Sequence, residues 1–303
     1  MTDSLGELRE VVRGVLSRHS EAGAVWRILT EQVGVAGLAI PARFGGAGAG
    51  LEEAHVVLEE LGRTLVPHPM LSCVVAGQAL LMTGNDQACR RLLPRLAAGE
   101  VIAVGWSEDP VLDAQVASVV LRVGEDGTLS EVEGSVTPLA TMDPARRLAA
   151  VEVKHGTTLG TVDSAGLRDL ACVALSAEQV GSAARALELT VGYLKTRVQF
   201  GRPIAAFQAI QHRLADMHVM VEAARAVSYA AVRGRTPAGV AKVYCSETLA
   251  QVAAEMIQLH GGLGITWEHD AHRFFKRAHS AWHLFGPPRE HLRRLENRLP
   301  SIT

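Results

Sequence analysis

The chain has 303 residues, 48% of them hydrophobic, and 30 Lys and Arg against 32 Asp and Glu leave a formal charge of -2. That length can bury a sizeable core and suggests two or three structural units, while the near-neutral balance, with no block of like charge, argues against nucleic acid as a partner. Cys73, Cys89, Cys172 and Cys245 lie far apart with no CxxC pair, so they read as buried small hydrophobes in a reducing compartment and not as a zinc or disulfide framework.

The opening stretch MTDSLGELREVVRGVL carries charges throughout, and no segment reaches the ~18 apolar residues of a spanning helix, so a cytoplasmic protein is expected. From residue 5 to about 98, apolar positions recur three and four apart, beginning Leu5, Leu8, Val12, Val15 and Leu16 and continuing Val25, Ile28, Leu29 and Val33. This spacing predicts an N-terminal helical unit. Within it, Gly45, Gly46, Gly48 and Gly50 precede a helix predicted over about 51–65. A glycine loop before a helix can cradle phosphate, but no Lys-Ser/Thr pair follows, which favours an ordinary interhelical loop.

From about residue 101 the pattern changes to short apolar or alternating pieces, VIAVGW, VASVVLRV, LSEVEGSV and LAAVEVKH, divided by Gly, Asp and Pro; these predict strands. An Ala-rich run from Ser164, a candidate N-cap, to Arg197 then predicts one helix of about 50 Å at ~1.5 Å per residue. Further helices are predicted over about 204–234, 237–260 and 268–298, the last interrupted at Gly286-Pro287-Pro288. The expected fold is mainly α with a small β domain: an N-terminal helical domain (1–100), a middle β domain (101–163) and a C-terminal four-helix bundle (164–303).

Two corners of that bundle carry candidate chemistry. RVQFGRP falls between the two longest helices; Arg197 at a helix end and Pro203 opening the next both suit a structural turn. Yet Phe200 and Phe207 are two of only six phenylalanines, and with Arg197 and Gln208 they offer a stacking surface, a fork of donors and an amide, a set suited to a phosphorylated aromatic ligand. The second corner, QLHGGLGITWEHD at 258–270, places Gly261, Gly262 and Gly264 where backbone can approach a ligand closely.

Together, RVQFGRPIAAFQAIQHRLADM and QLHGGLGITWEHD resemble the acyl-CoA dehydrogenase family, and LAIPARFGGAGAGLEEAHVVLEELGRTL and LLPRLAAGE extend the likeness over most of the chain. The resemblance implies an oligomeric flavoprotein in which the two corners of one subunit bind the adenosine diphosphate half of FAD whose flavin lies in a neighbour. Carried over by motif, the cofactor residues are Arg197, Phe200, Gln208, Gln258, Leu259, His260, Gly261 and Gly262, with no metal. It also implies an acyl-CoA substrate and an electron-transfer acceptor, with a carboxylate removing the α-proton while the β-hydrogen leaves as hydride.

The sequence departs from that family where the base should stand. One family position falls on Phe285 in HLFGPPRE, and the other, 26 residues before Arg197, on Ala171 in RDLACVALSAEQVG, followed by Cys172. Glu178 lies two turns further on, ~10 Å away, and reads as structural or partner-facing; Asp169 could substitute only if the helix start slipped by two residues. The strand region is about half the usual size, and WSEDP at 106–110 is the nearest trace of the flavin-side motifs. This resembles the degenerate subunit of actinobacterial α2β2 heterotetramers that act on steroid side chains and rings, whose homologous partner has the base. A homomeric enzyme with an unusual base and a non-catalytic structural homologue are the competing expectations.

The twelve histidines invite a metal reading, but His272, Lys276, His279 and His283 form a helical stripe better read as solvated or partner-facing. Trp267 and Trp282 read as core or interface residues.

Overall fold

The computed structural model describes residues 3–107 and 109–297. Five helices come first: α1 (Asp3–Arg18), α2 (Ala22–Ile28), α3 (Leu51–Gly62), α4 (Met70–Met82) and α5 (Asp86–Ala97). Val12, Val15, Val25 and Leu29 are buried, so the apolar face expected from the spacing is the face that packs. Helix α4 is buried almost all round, as a helix with no polar face must be, whereas α5 is amphipathic and starts at Asn85, whose side chain accepts from Ala88 N–H at 3.0 Å.

The glycine loop before α3 is an interhelical loop. Its amides fold back on the preceding turn, with Ala47 N–H donating to Gly37 O, Gly48 to Ile40 O and Ala49 to Leu38 O at 2.9–3.0 Å. A Cβ at Gly46 would lie 2.1 Å from Ile40 O, which is why glycine stands there.

Strands β1 (Ile102–Trp106), β2 (Val111–Leu112), β3 (Val119–Val123), β4 (Thr128–Pro138) and β5 (Leu148–Thr161) form one sheet in the order β1-β3-β4-β5-β2. β1 and β3 pair in parallel and the other neighbours antiparallel. LSEVEGSV and LAAVEVKH belong to a hairpin longer than the sequence pieces suggested, and much of it is solvated. Ile102, Val104, Leu121, Val123 and Leu129 join the main helical core, while Ala103, Val111, Val120 and Ala149 form a small separate cluster.

Helix α6 (Ser164–Thr196) runs for 33 residues through the centre of the molecule. Its cap is Asp163, not Ser164 as expected: the Asp163 carboxylate accepts from Gly166 N–H at 3.0 Å and Ser164 is the first helical residue. After it come β6 (Val198–Gln199), β7 (Arg202–Pro203), α7 (Gln208–Val232), α8 (Ala238–His260), α9 (Ala271–His283) and α10 (Pro288–Glu296). α7 begins later than expected because Ile204–Ala206 forms a 3-10 turn, and the segment expected over 268–298 is two helices, divided at Phe285-Gly286 where both residues are left-handed. Residue 298 lies outside the described residues.

All four cysteines are buried and free. Among the described residues no helix is long and apolar enough to cross a membrane.

Candidate functional site

The two bundle corners meet. Tyr193, one turn before the end of α6, stacks on His260 at the end of α8, with ring centroids 4.4 Å apart and planes within 17°, and His269 lies 4.2 Å from His260 on the other element. Further along, Arg213 on α7 pairs with Glu255 on α8. Tyr193 was not singled out from sequence, although the signal was present in the spacing, since Tyr193 precedes Arg197 by four residues, one helical turn.

At the first corner, β6 and β7 form a two-residue hairpin closed by Phe200 and Gly201, whose φ values are 54° and 75°. Left-handed pairs suit such a turn, but the first position favours Asn, Asp or Gly, so a phenylalanine there is strained. Its ring is 91% exposed, meeting Phe207 edge to face at 6.1 Å. The hairpin tip thus presents an aromatic face open to stacking. Phe207 is less available than expected, because Arg202 lies over its ring at 4.0 Å. Arg197 is exposed and its guanidinium makes no hydrogen bond or ion pair among the described residues, and Gln208, the first residue of α7, is exposed beside it.

At the second corner Gln258, Gly261 and Gly262 are exposed, whereas Leu259 packs into the core and His260 is buried. His260 Nδ1 donates to Met256 O at 2.7 Å, which leaves Nε2 the acceptor nitrogen, and that atom has no partner. Burial lowers the His260 pKa, so the ring is neutral at pH 7. A Cβ built on Gly261 or Gly262 meets nothing within 4 Å, so both present open backbone. Free guanidinium, exposed aromatic ring, open glycine backbone and an unpartnered buried acceptor are the donors, stacking face and access that a phosphorylated aromatic cofactor needs, and the residues present fit the adenosine diphosphate half of FAD.

The backbone strain sits at Gly261, with φ 61° and ψ -140°, not at Gly262. Gly261→Ala is therefore expected to lower stability by ~1–3 kcal/mol, and Gly262→Ala to leave it unchanged. Equal melting temperatures for both variants would show that the corner relaxes freely.

A second feature is a cleft of about 370 Å³ bounded by β1, β2, the first turns of α6 and the α9–α10 turn, lined by Val104, Trp106, Leu112, Leu148, Leu284 and Phe285. Arg168 lies over the Trp106 ring at 4.7 Å and reaches Asp109 at 3.4 Å; Glu290 and His283 border the opening. Of the WSEDP trace, Glu108 lies outside the described residues. Phe285 puts its ring edge-on to Trp106 at 5.7 Å. Ala171 is fully buried, and α6 starts without any slip that would bring Asp169 to its place; Asp169 is not among the cleft-lining residues.

Glu178 is not near this chemistry. It is buried between Arg146, which grips it with two hydrogen bonds of 2.8 and 3.1 Å, and Arg277 at 2.7 Å; Arg277 also holds Asp143 at 2.6 Å. Burial alone would raise its pKa, but the charges of Arg146 and Arg277 outweigh that and hold it at about 2. A carboxylate so committed is a structural ion, which bears out the structural reading of Glu178.

No group of three or more His, Cys, Asp or Glu that could hold a metal occurs among the described residues. Trp267 is 83% exposed with Lys276 over it at 4.4 Å, so it is not a core residue, and Trp282 is half-buried.

Comparison with known proteins agrees with this geometry. Residues 7–100 match the acyl-CoA dehydrogenase N-terminal domain and residues 170–299 the acyl-CoA dehydrogenase C-terminal domain. Acyl-CoA dehydrogenase IpdE2 of Mycolicibacterium smegmatis is 44% identical over 98% of this chain and 99% of its own. Among solved structures, the steroid ACAD Tcur3481-Tcur3483 superposes with a TM-score of 0.87 at 27% identity, covering 98% of this chain and 97% of that one. The ChsE4-ChsE5 complex from Mycobacterium tuberculosis does so with 0.86 at 25% identity, covering 99% of each. The chain belongs to the acyl-CoA dehydrogenase family, FAD-binding flavoprotein oxidoreductases, and is of its actinobacterial type.

Proposed function

We propose that this chain is the base-lacking subunit of a heteromeric acyl-CoA dehydrogenase and contributes the adenosine diphosphate end of the FAD site across the subunit interface. The observation that carries the reading is that a fully buried methyl group, Ala171, and an aromatic ring, Phe285, stand at the two positions where the family has its base. FAD would supply, when bound, the acceptor for the hydride that leaves the acyl β-carbon. This chain's part would be to hold and orient: Arg197 would meet the diphosphate, Phe200 would form one wall of the adenosine pocket, Gln208 and Gln258 would supply amides at its rim, and Gly261 and Gly262 would let the backbone come close. Leu259 and His260 support the corner from beneath.

The partner in this reading is a homologous subunit bearing the catalytic Glu, with an acyl-CoA as substrate and an electron-transfer acceptor downstream. The two-component names of the solved relatives, and the steroid in one of them, support a heteromer and make a steroid acyl-CoA the first substrate to try. The test is expression alone and with a homologous Glu-bearing subunit, followed by flavin absorbance and acyl-CoA-dependent dye reduction.

Arg197→Ala in that complex removes a charge-assisted contact worth ~1.5–3 kcal/mol, so FAD affinity is expected to fall roughly ten- to a hundredfold. Full occupancy of the variant at limiting flavin would remove Arg197 from the site.

A further inference from the structure

We infer that Phe285 is a stopper, the residue that keeps this chain's own cleft from accepting a flavin ring or an acyl group and so confines binding and chemistry to the partner's cleft. The inference rests on the base-lacking reading and adds the side chain that makes the second cleft unproductive.

Phe285 adopts φ 62° and Gly286 φ 98°, so two successive left-handed residues turn the chain between α9 and α10. Glycine or asparagine would make the first of these positions without crowding, so the turn alone does not require a phenylalanine. What the ring does is narrow the cleft: it meets Trp106 in a T-shaped contact from the opposite wall, centroids 5.7 Å apart. Trp106 is itself buried, so the two rings form an apolar contact across the space, and the polar lining residues Asp109, Arg168, Ser280, His283 and Glu290 stand around that contact.

The turn is held from behind by buried side chains from three helices. Lys242 on α8, fully buried, donates from Nζ to Ala281 O at 2.6 Å and Trp282 O at 3.3 Å, fixing the end of α9. His291 on α10 donates from Nε2 to Phe285 O at 3.1 Å. Cys172 on α6 places Sγ 4.0 Å from the same carbonyl and 3.8 Å from the imidazole. Gly286 N–H closes back on His283 O at 3.2 Å. These bonds fix the backbone of the turn, so the Phe285 ring enters the cleft from a set position. The anchors also explain why Cys172 and Lys242, two buried polar side chains with no place in the chemistry, converge on this one turn.

Lumiflavin, the tricyclic ring without its tail, is the probe. Equilibrium dialysis compares the isolated wild-type chain with Phe285→Gly, a substitution that suits the left-handed backbone, and Phe285→Leu, which keeps the turn apolar but removes the ring. The wild type is expected to take up none, and Phe285→Gly to bind at least about tenfold tighter. In the heteromer, flavin per subunit pair is expected to rise above the wild-type value in the same variant. Uptake by wild type equal to that of the variants, or no gain in whichever variant folds by circular dichroism, overturns the stopper. Those outcomes leave the base-lacking reading standing; turnover by the isolated wild-type chain would instead remove that reading.

Discussion

Acyl-CoA-dependent dye reduction is expected to be negligible for the isolated chain and to appear when a homologous Glu-bearing subunit is added. The thioester α-proton is too weakly acidic to leave unaided, and loss of a positioned general base costs typically ~10²–10⁴-fold. Ala171 and Phe285 accept no proton, and Glu178 is held as an ion between Arg146 and Arg277. Among the described residues, the carboxylates that line the cleft are Asp109, which pairs with Arg168, and Glu290. Two measurements decide the matter: turnover of the isolated chain, and turnover of the complex with the partner's Glu changed to Gln, which is expected to fall by the same factor. If the isolated chain works at rates comparable to the complex, the heteromeric reading fails, and Glu290→Gln and Asp169→Asn then identify the base.

Glu178→Gln is expected to destabilise the fold by about 3–5 kcal/mol, because it leaves two buried guanidinium groups facing a neutral amide. At roughly 2–4 °C per kcal/mol for a chain of this size, the melting temperature falls by about 10 °C. The cluster ties four parts of the chain together: Glu178 on α6, Arg277 on α9, and Asp143 and Arg146 on the β4–β5 connection, with His68 Nε2 3.9 Å from Glu178. Its pH dependence has a definite sign. The Glu178 pKa is about 2 in the fold against an ordinary glutamate value of 4.5, so its contribution is present above pH 4.5 and lost as pH falls toward 2. The wild type is therefore expected to converge with Glu178→Gln over that interval, by on the order of 3 kcal/mol. A difference in denaturation midpoint that stays constant from pH 6 to pH 3 would show that the carboxylate is protonated throughout or unimportant.

Much of this protein was legible in sequence because the signals are local. Periodicity three and four apart is a property of a single helix, and it gave the N-terminal helical unit as a whole and located α3, α6 and α8 to within a few residues; α7 starts four residues late, where the 3-10 turn at Ile204–Ala206 has no distinctive spacing. The cofactor corners were legible for a related reason: each is a short run of residues around one turn, so RVQFGRP and QLHGGLGITWEHD keep their chemistry in contiguous sequence. That no carboxylate stands at the family's two base positions was also readable, since it needed only the identities of Ala171 and Phe285.

What sequence did not contain was which groups meet across elements. The stacking of Tyr193 on His260 joins residues 67 positions apart, and the partners of Glu178 lie 32 and 99 positions away, distances at which no spacing rule operates. The strain at Phe200, Gly261 and Phe285 likewise belongs to backbone angles that the turn's surroundings impose, and only those angles distinguish Gly261, where a side chain is costly, from Gly262, where it is not. By itself the sequence determined the family, the helical and strand order and the residues at the two base positions, because each depends on residue identity or on contacts within one turn. The tertiary structure alone decided that Glu178 is a structural ion, that the glycine loop folds back on the turn before it, and that Phe285 closes against Trp106 across a cleft, because burial and hydrogen-bond partnership are set by chain segments that come together only when the whole core forms.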